Sequence, residues 1–452
     1  MSQEQTTTAQ HHEGLTKAQV KEQVCKAIAD NMPRLMEIAE RIMAHPELGY
    51  KEKKTSAVVQ ELFTEMGIPF TTGHALTGVK GRLKGKSSRR TVAMIGELDA
   101  VLCPTHPRAD ELTGAAHCCG HNVQIANLMA VALGLQAPGV MEALDGDVVL
   151  FAVPAEEYVE IDYRNKLREE GKIHYLGGKQ QLIYEGAFDD IDMAMQMHVN
   201  PASTPEGEMG LGSTSNGFIG KLITYRGKAA HAAGAPHEGV NALQACMMGV
   251  MGVNAIRDTF KESDYFRFHP IINNGGSLVN VVPDYVTMES YVRTATVDSM
   301  VKGNFKVNRA LKAGADALGA TCEIKDLPGY LPMRNDAIMN DFLKENSIPL
   351  FGEDHVMMGE HITASTDMGD VAHLIPVIHP WVGCIKGVLH GADYEIVNKD
   401  VAYTKTAQAL AMTIVDLLYG DGEGAEKVKA QYKPVFTKDE YIKFMDSIAE
   451  GK

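Results

Sequence analysis

The stretch AAHCCGHN, Ala115 to Asn122, carries two cysteines and two histidines within His117–His121. Thiolate and imidazole groups this close can hold a zinc-like ion, serve as nucleophile and base, or simply pack. Cys119 and His121 are two residues apart, a spacing that diverges on a regular helix. Gly120 between them permits a turn on which they converge. The apolar run beginning near Asn122 reads as a helix, so both side chains would sit at its N-terminal mouth. There the helix dipole and, more strongly, a metal stabilise a thiolate. A buried free thiol beside a satisfied core histidine is the alternative. Glu156 and Glu157 follow the apolar run DVVLFAVPA. Adjacent carboxylates closing a buried strand are costly unless paired or ligating. One could bind metal while its neighbour acts as general base on a water, the alternative being a solvated acidic turn. His198 closes MAMQMHV and His390 sits in GVLHGADY; each could be a ligand or a structural histidine. Asp99, after TVAMIGEL, could bridge metals, fix the tautomer of a ligand histidine, or cap a turn. Together Cys119, His121, Glu157, His198 and His390 make up the inventory for two divalent ions that share ligands.

These residues need elements to position them, and the chain supplies alternating ones. Residues from about Lys17 to Met66 read as two helices, with His45-Pro46 breaking the apolar periodicity. TVAMIGELDA reads as a buried strand, NVQIANLMAVALGLQ as a helix, DVVLFAVPAEE and MAMQMHV as further strands. Strand–helix alternation predicts an α/β layered sheet, whose sites gather at strand ends. After about Gly210 the order becomes β-α-β-β-α-β, which predicts an independent α+β unit with a four-stranded sheet. From about Asn335 the pattern returns to helices and short strands. The expected organisation is a catalytic domain over residues 1–210 and 331–452, interrupted by an inserted domain over 211–330. The last stretch, KPVFTKDEYIKFMDSIAEGK, reads as an amphipathic helical tail without obvious chemistry.

Composition narrows the class. The chain has 452 residues, more than one core usually organises, with 45% hydrophobic and 22% charged residues. A net charge of -15 argues against a nucleic-acid or anionic-membrane partner. The seven cysteines are scattered and odd in number, unlike a disulfide framework. The polar N-terminus has no apolar h-region, and no run is long enough to span a membrane. A cytoplasmic location is expected, with His11 and His12 in a tail.

Eight motifs occur in a fixed order: HPELGYKE, ELDA, AHCCGHN, PAEE, GAFDDIDMAMQMH, GKAAHAAGAPHEGVNAL, NVVPDYVTMESYVRT and STDMGDVAHLIPVIHP. In them the chain resembles the amidohydrolase branch of the aminoacylase/carboxypeptidase family of dinuclear zinc metallopeptidases. The last motif is most similar to the aminobenzoyl-glutamate hydrolase and small-dipeptidase side. The resemblance implies a zinc-peptidase-like domain with a mixed sheet, plus a ferredoxin-like insert serving as lid and homodimer contact. It implies two divalent ions per subunit, zinc or manganese, on Cys119, His121, Glu157, His198 and His390, with Asp99 behind them. Glu156 would be the general base, and His231 would stabilise the oxyanion, often in the neighbouring subunit's site. Asn280 and Arg293 would grip the substrate's carboxylate. The implied reaction is hydrolysis of an N-acyl amino acid, an aryl-amide conjugate such as aminobenzoyl-glutamate, or a small dipeptide.

Four positions depart from the family pattern. Asn122 and Gln124 stand where the branch has aspartate and histidine, Glu97 stands where other branches place a histidine, and Cys118 replaces an alanine. Cys118 is expected to pack and His117 to support the site. The segment YVEIDYRNKLREEGKIHYLGGKQ is longer than usual and reads as a substrate-facing loop or a surface insertion, with His174 exposed. Two rival readings are a cysteine hydrolase using Cys118 or Cys119, and a metal-binding homodimer that has lost turnover.

Overall fold

The computed structural model describes residues 14–450; His11 and His12 lie outside them. Its largest sheet runs in the order Phe70–His74, Gly78–Leu83, Asp147–Val153, Thr91–Glu97, Met193–Met195, Val377–Ile378. The first three strands pair antiparallel and the rest parallel, so the sheet is mixed. Thr91–Glu97 and Asp147–Val153 are buried along their whole length. A parallel strand covered on both faces reads as a continuous apolar run, and AMIG and VVLFAV do so.

The helix His121–Leu135 packs against this sheet and is buried on nearly all sides. Its apolar residues follow no stripe because no face meets water. The N-terminal region forms three helices, Lys17–Asp30, Met32–Met43 and Lys53–Glu65, where the sequence reading gave two. Asn31 ends the first and Pro33 sits at the start of the second, where a missing N–H costs nothing.

A second, smaller sheet joins His198–Pro201, Met209–Leu211, Val356–Met358, Trp381–Lys386 and Glu395–Ile396. The sequence reading ended a strand at His198. Instead, Met193–Met195 stays in the large sheet and His198 opens a strand of the small one, opposite Trp381. The switch of sheets carries the histidine to the junction.

Between residues 217 and 328 lies a four-stranded antiparallel sheet, ordered Arg267–Asn274, Tyr285–Thr294, Gly217–Arg226, Thr321–Pro328. With helices Ala242–Ala255 and Val297–Leu318 it has the expected β-α-β-β-α-β order and its own apolar core. Period-two alternation along Tyr285–Thr294 buries Val286, Met288 and Val292. Tyr291 and Arg293 therefore share the opposite face. There the Tyr291 hydroxyl donates to the Tyr158 carbonyl at 2.7 Å, tying the insert to the rest of the chain. The C-terminal helix Lys438–Ala449 buries Tyr441, whose hydroxyl donates to Asp370 at 2.8 Å. No helix among the described residues is long and apolar enough to cross a membrane.

Candidate metal centre

Gly120 decides the local geometry of the motif. Its φ is +88°, and a Cβ there would lie 2.3 Å from Val199 Cγ2. Glycine alone accommodates both the left-handed turn and the close approach. The turn leaves Cys119 at the mouth of the helix that His121 begins. His121 Nδ1 donates to the Asp99 carbonyl oxygen at 2.7 Å, which fixes the tautomer and leaves Nε2 for a ligand. Asp99 also accepts the Glu157 backbone N–H at 2.9 Å. It thus holds two candidate ligands in place, the supporting role among the three that the sequence left open.

Around Cys119 the other ligands converge. Its Sγ lies 3.4 Å from His198 Nε2 and 3.2 Å from His390 Nε2. His390 Nε2 is 2.9 Å from Glu157 Oε1. Two groups of three donors could each hold an ion: Cys119, His121 and His198, and Cys119, Glu157 and His390. Cys119 belongs to both groups. Thiolate, imidazole and carboxylate at these separations suit tetrahedral zinc-like coordination. His121 Nε2 and Glu157 Oε1 are buried without an aligned hydrogen-bond partner, although other polar atoms approach them. Buried polar atoms of this kind are rare unless a ligand completes them. The residues therefore fit a metal pair.

Burial, reinforced by Glu157, pushes the Cys119 thiol well above its ordinary range. A cation is what would make it a thiolate. Burial also opposes charge on His121, but Glu97 and Cys119 outweigh it and raise the imidazole well above its usual range. Glu156 is raised well above the carboxylate range by burial and by Glu97 and Glu157. For Glu157, burial is overcome by the close approach and charge of His390, which hold it at about 2. One carboxyl of the pair thus favours a proton and its neighbour favours charge. His390 itself has φ +61°, a left-handed backbone costly for a non-glycine residue, and its N–H donates to the Cys118 carbonyl at 2.9 Å.

Several contacts around the site were not legible in the sequence. Glu97 Oε2 approaches His121 Nε2 at 2.9 Å, and Glu97, His121 and Glu156 form a third potential ligand group. Glu97 Oε1 is 2.6 Å from Lys179 Nζ, and that buried lysine also bonds Asp367. Gln124 donates to Glu97 Oε2 at 2.8 Å and accepts the Glu97 N–H at 3.1 Å. The Glu97 and Gln124 departures are therefore partners. Asn122 Nδ2 reaches the Ala39 carbonyl at 3.5 Å, away from the ligands. Arg164, in the long segment after Glu157, is buried and donates to the carbonyls of Ala155, Leu176 and Glu157. That segment buttresses the Glu156-Glu157 turn from behind, with Asp162, Lys166 and 169–172 exposed, and its residues after Glu157 do not line the cavity described below. His174 within it is partly buried, stacked on Tyr184 and bonded to Asp446 at 2.9 Å. Cys118 packs in the core, and His117 is buried with both ring nitrogens unpartnered, held down to about 3 by burial.

A cavity of about 650 Å³ opens beside the centre, lined by Cys119, Glu156, Glu157, His198 and His390 together with Trp381 and the 361–366 loop. Arg293 reaches this loop, donating to Ser365 Oγ at 2.6 Å, and lies over the Phe218 and Tyr291 rings. His231 and Asn280 are not brought to the cavity. They sit together, exposed, on the insert, where the Ala232 N–H bonds the Asn280 carbonyl. His231 Nδ1 accepts the Gly234 N–H at 2.9 Å, so the donor edge of its ring, Nε2, is free.

Residues 93–416, well over half of the chain, match the family model described as peptidase family M20/M25/M40. The chain belongs to this family. A human Xaa-Arg dipeptidase is 28% identical over 92% of this chain and 93% of its own. Among solved structures, a Bacillus subtilis dinuclear metal-binding peptidase of the M20 family aligns with a TM-score of 0.66 at 21% identity, over 86% of this chain and 99% of its own. An aminobenzoyl-glutamate utilization protein from Klebsiella pneumoniae aligns with a TM-score of 0.63 at 17% identity, over 87% of this chain and 98% of its own. The two structures share the fold. The M20 chain described here is a metal-dependent amidohydrolase of the peptidase type.

Proposed function

We propose that this M20 hydrolase cleaves the amide of an N-acyl amino acid, an aryl-amide conjugate or a small dipeptide, with Glu156 as proton carrier. The observation that carries the reading is geometric: Cys119, His121 and His198, and Cys119, Glu157 and His390, form two donor groups, and Glu156 lines the same cavity. Two divalent ions, zinc or manganese, held by Cys119, His121, Glu157, His198 and His390, would supply Lewis acidity toward water and the scissile carbonyl. Glu156 takes the proton of the attacking water and delivers it to the departing amine. Arg293, already at the cavity rim, suits a bidentate grip on the substrate's carboxylate. Asn280 would assist that grip and His231 the oxyanion; both stand off their own cavity, which favours their acting in a second subunit. The edge strand Arg267–Asn274, with Ile271 and Ile272 exposed, offers the insert a homodimer contact. All seven cysteines are free, which suits a reducing cytoplasm.

Glu156→Gln keeps shape and removes the base. We expect kcat to fall about 10²–10⁴-fold with metal content unchanged. Turnover that survives this substitution, or turnover in chelator-stripped enzyme that alkylation of Cys118 or Cys119 abolishes, overturns the mechanism. Intact metal binding in a wild type that cleaves nothing would favour the metal-binding homodimer instead.

A further inference from the structure

A chain of buried polar contacts leads from Glu97 to His379, a histidine of the last motif with no role so far. Lys179 lies 2.6 Å from Glu97 Oε1, so this oxygen is an ionised acceptor. Gln196 is fully buried and its Nε2 donates to the same oxygen at 2.8 Å. That bond sets the amide orientation, because the flipped amide would press its oxygen against a carboxylate. The same Nε2 lies 3.3 Å from His379 Nε2. A ring nitrogen that faces an amide N–H must present its lone pair, so the proton of the neutral ring sits on Nδ1. His379 Nδ1 has no hydrogen-bond partner among the described residues, and the residue lines the cavity.

The ring is also held in place. The His379 N–H donates to Asn335 Oδ1 at 2.7 Å, and the ring packs edge-on to His198 with centroids 6.2 Å apart. Nearby on the cavity wall are Asn200, Trp381 and Ser215, whose buried hydroxyl has no partner. Among the described residues no lysine or arginine lines the cavity, and Glu156 and Glu157 are the only carboxylates there. This wall adjoins the 361–366 loop that Arg293 reaches, because Ser215 pairs with Ile362 of that loop.

We propose that His379 is a substrate-contacting residue, donating its Nδ1–H to an uncharged oxygen of the substrate. Glu97, Gln196 and Lys179 are its positioning residues, since they fix the tautomer without reaching the cavity. The recognised group is a carbonyl, hydroxyl or ether oxygen, because the donor is neutral. The inference rests on the amide-hydrolase reading for the orientation of the substrate.

The test compares His379→Asn, which keeps an N–H where Nδ1 stands, with His379→Phe, which removes it. For an N-acyl amino acid, His379→Phe is expected to raise KM about fivefold or more, the worth of a neutral hydrogen bond, while kcat and metal content hold. His379→Asn is expected to restore most of that loss. In parallel, 15N-histidine spectra of the wild type, assigned by the signal missing in His379→Asn, should show the Nδ1–H tautomer. Equal losses in both variants, or none in either, overturn the proposal, as does an Nε2–H or doubly protonated ring. A wild type that hydrolyses no acyl amide refutes the hydrolase reading instead, and the spectrum still decides the tautomer on which the proposal stands.

Discussion

Lys179 offers the most direct perturbation of the charge balance behind the metal centre. It is fully buried, 2.6 Å from Glu97 Oε1, and it also bonds Asp367, which is itself fully buried. Lys179→Met keeps the length of the side chain and removes the only cation these two carboxylates share. Breaking a buried ion pair on one side leaves an uncompensated charge and costs about 3–5 kcal/mol. Burial already raises Asp367 to about 6, ahead of the lowering by Lys179. Without the lysine its folded value rises further, so the folded variant binds a proton that the unfolded chain releases. A raised folded value gives stability that is present at low pH and lost as pH climbs through it. The deficit of the variant should therefore be small at pH 5 and full near pH 8. Metal should narrow it, because a cation beside His121 supplies positive charge next to Glu97. The assay is urea unfolding of chelated and metal-loaded protein, followed by the single tryptophan, Trp381, in the cavity wall. A chelated variant within about 0.5 kcal/mol of wild type at pH 8 would refute the reasoning, since that is the scatter of neutral surface changes.

Further outcomes follow from other contacts. Asp370, raised from 3.8 to about 8 by burial, lowers stability as pH rises between those values; Asp370→Asn should flatten the slope of thermal stability against pH in that window. Gly120→Ala puts a Cβ 2.3 Å from Val199 Cγ2 at φ +88°, so metal content should drop and stability fall by about 1–3 kcal/mol, measured by metal analysis and thermal unfolding. If His231 acts across a dimer, inactive His231→Ala and Glu156→Gln proteins, mixed and reassorted, should regain about a quarter of wild-type turnover; a mixture as inactive as its parents removes the shared site.

The candidate ligand set was legible because each candidate sits at the end of an apolar run or in a Gly-containing turn, where a polar residue stands out. Cys119, His121, Glu157, His198 and His390 all carry that signal, and the fold brings all of them together. The insert was legible too, since strands of period two and helices of period 3.6 alternate in a recognisable order. Lys179 gave no such signal. In LGGKQQLIYE a lysine reads as solvent-facing, and only its placement beneath Glu97 and Asp367 makes it buried. Arg164 and Gln196 were hidden for the same reason, as was the pairing of Gln124 with Glu97, which lies 27 positions away in the chain.

By itself the sequence determined the local chemistry: which side chains can ligate, which glycine must turn, which runs are strands and which are helices. These are properties of residues within a few positions of one another. The tertiary structure decided everything that needs two distant segments to meet. It divided Glu156 from Glu157 by surroundings that neither residue encodes, and moved His198 from one sheet to another. It set His231 and Asn280 apart from the cavity and fixed the tautomer of His379 through Gln196 and Glu97. Charge states and proton positions follow from burial and from neighbours within a few ångströms, and folding alone chooses those neighbours.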